Sequence, residues 1–132
     1  MAKERKSKNN RSTGETTISI EINLDGKGIS NINSPIGMLN HMLDQIARHG
    51  LIDINATITG DLETGTHHII EDTAIVLGIC IDEALGDRSG ILRMGDKTCL
   101  LDEALCSVAL DLSGRGYAVI DMGSSDNEGE FS

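Results

Sequence analysis

Residues 65–72 read GTHHIIED, a set of side chains able to hold divalent metal ions. Adjacent residues of a helix point about 100° apart, so His67 and His68 on a helix would face two different ions. Glu71 follows His67 by four residues and His68 by three, spacings that share a helical face, so its carboxylate could complete either site. An isolated string of this kind is as readily the polar first turn of a buried helix. The metal reading therefore needs further residues, and the segment 35–49 supplies them. His41, Gln45 and His49 recur there at every fourth position and form one polar line. All four histidines of the chain then lie on the polar faces of two consecutive helices. Imidazole and carboxylate donors without a convergent thiolate favour Mn²⁺ or Zn²⁺, with Fe²⁺ also compatible, and leave positions open for water or substrate. Two arginines add an anion-binding capacity. Arg93 follows SGIL, and Arg115 stands between glycines in LSGRG, where a planar guanidinium could approach a phosphorylated substrate. Read alone, Arg115 is equally a hairpin turn residue.

The elements that must position these groups are legible in the hydrophobic pattern. TTISIEINLDG alternates from residue 16, with Ile18, Ile20, Ile22 and Leu24 on one face, which predicts a half-buried strand. Asp25-Gly26 predicts a tight turn into a second strand near 27–32. A helix is expected over 35–49, with Ser34 as N-cap, Pro35 at the first helical position and Gly50 just past the end. Residues 51–59 alternate as a third strand, and a second helix is expected over 67–85, closed by Gly86. This is an α+β plan, a ββαβα unit with two helices on one face of a four-stranded sheet.

The 132 residues carry a net charge of −10, and Phe, Tyr and Trp make up only 2% of them. The core must therefore be aliphatic. The acidity argues against a nucleic-acid partner, which would need clustered Lys and Arg to neutralise phosphates. Five of the eleven basic residues lie in the first eleven positions, predicting a flexible basic tail over 1–11. The acidic, Gly/Ser-rich stretch 122–132 reads as a poorly ordered polar tail. Three cysteines without CxxC spacing fit a reducing cytoplasm, and the longest apolar stretch, 73–81, is far too short to span a bilayer.

An internal repeat is present at an offset of 88 residues. Glu15, Ser19, Leu24, Gly26, Gly28 and Ile32 are matched identically by Glu103, Ser107, Leu112, Gly114, Gly116 and Ile120. The chain thus reads as a first ββαβα unit over 12–90 and the first strands of a second over 91–121.

The ordered series RSTGET (11–16), HMLDQIARHG (41–50), HHIIED (67–72), ALGDRSGILRMG (84–95), DEAL (102–105) and DLSGR (111–115) resembles the imidazoleglycerol-phosphate dehydratase family of histidine biosynthesis. The resemblance implies a ribosomal S5 domain 2-like fold. It also implies a cytoplasmic homo-oligomer with active sites at subunit contacts, acting on a small phosphorylated imidazole substrate without nucleic acid or membrane. It implies two Mn²⁺ sites, for which His41, His67, His68 and Glu71 are the ligands present. Glu15, with Glu71, would move the carbon proton, and Gln45, His49, Arg93 and Arg115 would join Glu15 in contacting substrate. The dehydration it implies is demanding because the carbon proton is not acidic. Two ions holding the two nitrogens of a deprotonated imidazole would make the loss of hydroxide possible.

Three departures from the family pattern stand out. Asn40 replaces an Asp before the histidine, Gly65-Thr66 replaces an acidic pair, and Leu100-Leu101 replaces Pro-Met. Lost carboxylates that orient ligands typically cost on the order of 10–100-fold in affinity or activity. The second HHxxE, expected near position 155, lies beyond Ser132, so the chain is read as a C-terminally truncated member. The alternative is a non-catalytic metal-binding or assembly fragment.

Overall fold

A computed structural model describes residues 4–122, as β1 (Lys6–Ser12), β2 (Thr16–Asn23), β3 (Ser30–Asn33), α1 (Gly37–Gly50), β4 (Asp53–Gly60), α2 (His67–Leu85), β5 (Met94–Leu101) and β6 (Ala104–Asp111). The expected polar tail lies outside these residues from 123 onward. The chain divides into two compact units, one up to Gly86 and one from Asp87. Among the described residues no helix is long and apolar enough to cross a membrane.

In the first unit the sheet order is β1-β2-β4-β3, with β1/β2 and β2/β4 antiparallel and β3/β4 parallel. The period-two pattern of β2 and β4 turns Ile18, Ile20, Ile22, Ile54, Ala56 and Ile58 to one face. Against it α1 lays Leu39, Leu43 and Ala47, and α2 lays Ile69, Val76, Cys80 and Ala84. The core is aliphatic, as the composition requires. Each fully buried Ile contributes about 1.5–3 kcal/mol of hydrophobic stabilisation.

The fourth strand of this sheet is β1, which overturns the expected flexible tail at residues 6–11. KSKNNRS contains no apolar residue, so hydrophobic periodicity is silent there. The strand is held by polar side chains instead. Ser7 Oγ donates to the Cys80 carbonyl at 2.7 Å, Asn9 Nδ2 to Glu83 Oε2 at 2.7 Å, and Arg11 Nε to Asp72 Oδ1 at 2.7 Å, all from the face turned to α2. Lys6 and Lys8 alternate with them on the opposite face, a polar, charged composition suited to a sheet edge.

Helix α1 starts two residues later than expected. Its N-cap position is Ile36, and no side chain caps it. Ser34 Oγ is engaged one turn earlier, accepting from the Ile36 N–H at 3.2 Å and donating to the Ile36 carbonyl at 3.1 Å. At the other end the left-handed residue is Leu51 (φ 53°), whose neighbour Ile52 returns its N–H to the Ala47 carbonyl at 3.0 Å. The second strand is shorter and later than expected, at Ser30–Asn33.

The second unit contains the β5/β6 hairpin. Its ladder from Met94↔Asp111 to Leu100↔Leu105 is the β1/β2 ladder from Lys6↔Asn23 to Ser12↔Thr17 moved on by 88 positions, since 6 + 88 is 94 and 23 + 88 is 111. The bond from the Leu24 N–H to the Arg5 carbonyl recurs as Leu112 to Arg93, both at 2.9 Å. The repeat read from six identities is therefore a repeat of strand register. Residues 115–122 form no strand, so the counterpart of β3 is absent among the described residues.

Candidate functional site

The first turn of α2 and the loop joining β1 to β2 meet at one end of the first unit's sheet. The close approach depends on Gly60, at the end of β4. A Cβ there would stand 2.6 Å from Ile69 Cγ1 and 3.2 Å from the Glu15 carbonyl, and Ile69 is fully buried. Gly65, at φ 98°, makes the turn into α2 and returns its N–H to the Leu62 carbonyl at 3.1 Å. That conformation is one glycine adopts readily and an acidic residue does not.

On this frame the adjacent histidines diverge. The ring centroids of His67 and His68 are 5.5 Å apart with planes 66° apart. His67 Nε2 lies 3.3 Å from Glu71 Oε2, one helical turn on. His68 Nδ1 lies 3.5 Å from Glu15 Oε2, across the loop. The two imidazoles thus have two different carboxylate neighbours. Glu15 is fixed through its backbone: its N–H donates to Thr13 Oγ1 at 3.2 Å, and its carbonyl accepts from the Asp61 N–H at 3.0 Å. Its side chain remains more than half exposed, free to meet a ligand.

The sequence reading missed the residue that anchors this loop. Asp72, only 6% exposed, accepts from the Thr16 hydroxyl on one oxygen and from Arg11 Nε at 2.7 Å on the other. It thereby ties both ends of the RSTGET segment to the helix that carries His67 and His68. A signal was available. Asp72 falls on the stripe Ile69, Asp72, Thr73, Val76, Cys80 that α2 buries, and a carboxylate on a buried stripe needs partners. The Thr16 hydroxyl, and after it the Arg11 guanidinium, hold the Asp72 carboxyl below the usual carboxylate range. Its folded-state pKa is thus lower than its unfolded value of about 3.9. The stability it contributes is present above that value and lost as pH falls through the folded pKa. Urea midpoints measured across acidic pH should therefore decline, and Asp72→Asn should flatten part of that decline while lowering the midpoint at neutral pH.

The remaining expected site residues are placed as follows. His41 lies on α1, where it adds to the charges that lower the Asp44 carboxyl after the Ser30 hydroxyl and Arg48. Gln45 Oε1 and His49 Nε2 are hydrogen-bonded to each other at 3.0 Å. Asn40, beside His41, donates from Nδ2 to the Ser34 carbonyl at 3.1 Å, a bond that an ionised Asp could not make. In the second unit Arg93 forms a bidentate pair with Asp111, at 2.6 and 2.8 Å. Arg115 lines an open cleft of about 600 Å³ with Asp111, Ser113 and Tyr117. Among the described residues no three His, Cys, Asp or Glu side chains converge to hold an ion. The imidazole and carboxylate donors present are of the types that suit Mn²⁺.

A family model described as imidazoleglycerol-phosphate dehydratase matches residues 34–132. An imidazoleglycerol-phosphate dehydratase of Dehalococcoides mccartyi is 51% identical over 118 residues, covering 89% of this chain and 59% of the relative. One from Methanococcoides burtonii is 53% identical over 116 residues, covering 88% and 61%. The crystal structure of the Staphylococcus aureus enzyme of that name superposes with a TM-score of 0.70 at 31% identity, over 85% of this chain and 60% of that one. The chain thus spans about three-fifths of the length of these proteins.

Proposed function

This chain belongs to the imidazoleglycerol-phosphate dehydratase family, and from that membership we propose that it acts in histidine biosynthesis as a lyase, removing water from imidazole glycerol phosphate to give imidazole acetol phosphate. The observation that carries the reading is the Glu15 carboxylate held beside His68 at the first turn of α2. Glu15 and Glu71 are the groups that move the carbon proton, Glu15 from a side chain free to reach a ligand. His41, His67, His68 and Glu71 are proposed as ligands of two Mn²⁺ ions. When bound, those ions would supply Lewis-acid charge that favours the imidazolate form of the substrate. Gln45, His49 and Arg115 orient the ring and phosphate. Arg93, now paired with Asp111, would contact substrate by exchanging or sharing that carboxylate.

The site is proposed to be completed between subunits of a cytoplasmic homo-oligomer. Two features support this. No three ligands converge among the described residues of one chain. Met38, Met42 and Ile46 along α1, and Ile75 and Ile79 along α2, are all between 39% and 46% exposed, apolar side chains on each helix that association would cover. The same lack of convergence favours a second reading, a metal-binding or assembly role without turnover. An assay of imidazole glycerol phosphate consumption, before and after chelation and with Mn²⁺ restored, separates the two. Manganese-dependent consumption supports the dehydratase, and metal uptake by a folded oligomer without consumption supports the second reading.

A further inference from the structure

We propose that Cys99 and Cys106 form a reversible cross-strand disulfide within the β5/β6 hairpin, made by exchange with a low-molecular-weight disulfide of the glutathione type. The two residues stand directly opposite each other in the antiparallel ladder, and both are free, exposed thiols. Opposed residues of such a ladder have Cα atoms about 4.5–5.5 Å apart, inside the span of roughly 4.4–6.8 Å that a disulfide bridges. Their side chains leave the same face of the ribbon, so the backbone need not move far for the sulfurs to meet.

The ladder also indicates what kind of disulfide this would be. Leu112 donates its N–H to the Arg93 carbonyl, which marks 93/112 as a hydrogen-bonded pair. Such pairs recur at every second position, through 95/110 and 97/108 to 99/106. Hydrogen-bonded pairs hold their Cβ atoms toward the wide end of the cross-strand range, beyond the separation a relaxed disulfide prefers. The bond is therefore strained and exposed, the class that is most easily reduced. It is expected to respond to the redox state around it rather than to act as a permanent staple.

The chemistry balances without any other reactant. One cysteine thiolate attacks a sulfur of glutathione disulfide, breaking its S–S bond, leaving a mixed disulfide and releasing one glutathione thiolate. The second cysteine thiolate attacks the protein sulfur of that mixed disulfide and releases the second glutathione. Two protein thiols are oxidised, one small disulfide is reduced to two thiols, and the two protons pass to the released thiolates. Cys80 serves as an internal control, because it is fully buried and its Sγ donates to the Ile20 carbonyl at 3.4 Å.

The test uses the full chain, equilibrated across a series of reduced-to-oxidised glutathione ratios, quenched in acid, alkylated and digested. Cleavage after Lys97, Glu103 and Arg115 separates the two cysteines onto peptides 98–103 and 104–115. The expected result is a monomer-linked product lighter by two hydrogens, with those two peptides joined and Cys80 alkylated. The link should disappear when reduced glutathione is returned to excess. Cys99→Ser and Cys106→Ser should each leave the remaining thiol carrying glutathione. The proposal is overturned if the unsubstituted chain instead carries glutathione on both residues, joins two chains, links to Cys80, or keeps both thiols alkylatable at every ratio. The decisive reading comes from the unsubstituted protein, so it does not depend on either variant folding.

Discussion

Glu15→Gln is expected to lower the consumption of imidazole glycerol phosphate by about 10²–10⁴-fold, the usual contribution of a positioned general acid or base. Manganese content and Tm should stay unchanged. The substitution keeps the size of the side chain and leaves the backbone bonds to Thr13 and Asp61 in place. It removes the ability to take and return a proton, together with the negative charge beside His68. Because the side chain is mostly exposed, stability should not report on it. Glu71→Gln makes the contrast: beside His67 it should lose metal together with turnover. Steady-state rates and metal analysis on both variants separate a proton-moving role from a ligand role. A Glu15→Gln protein that turns over at the normal rate would remove Glu15 from the mechanism.

Ile20→Ala is expected to cost about 2–5 kcal/mol of stability, the range for emptying a large aliphatic site in a packed core. Ile20 lies at the middle of β2, fully buried, between β1 and β4 and beneath α2. Its carbonyl also accepts from Cys80 Sγ. With almost no aromatic residues to carry the core, the isoleucines of β2 and β4 are among its largest fully buried side chains. A typical domain has only about 5–15 kcal/mol of stability in total, so the variant should be partly unfolded at modest urea. Equilibrium urea unfolding followed by circular dichroism measures the loss, and a loss of unfolding free energy below about 1 kcal/mol would mean that the core lies elsewhere.

The elements legible in the sequence are those that bury a periodic apolar face. β2, β4 and α2 lie within two residues of where alternation and helical spacing put them, because Ile18, Ile20, Ile22, Ile54 and Ile58 have nowhere else to go. β1 was illegible for the opposite reason. Its inward residues, Ser7, Asn9 and Arg11, are held by hydrogen bonds to α2, and no single-sequence pattern shows a bond made across 61 to 74 positions. The start of α1 was misplaced because Ser34, a good capping residue by type, is engaged by Ile36 before the helix begins.

The candidate site shows the same division. The divergence of His67 and His68 follows from helical geometry alone, and the structure has it. The nearness of Glu15 to His68 is a tertiary fact that depends on Asp72, Thr16 and Gly60, of which only Asp72, a carboxylate on a buried stripe, carries a signal in the sequence, and that signal does not name its partners. The resemblance to a family joined those pieces before the structure did. It placed Glu15 with the histidines by motif, where the physics needed a buried carboxylate and a glycine contact.

His41, His67, His68 and Glu71 of this chain are proposed to form parts of metal sites that a second chain completes. Manganese bound per chain, measured as a function of protein concentration alongside the oligomeric state, shows whether a second chain is needed. The expected result is two ions per chain in the oligomer and little in the monomer, with His68→Ala losing metal without dissociating the assembly. Full loading of a monomer would contradict it, as would a well-folded oligomer that takes up no manganese at any concentration.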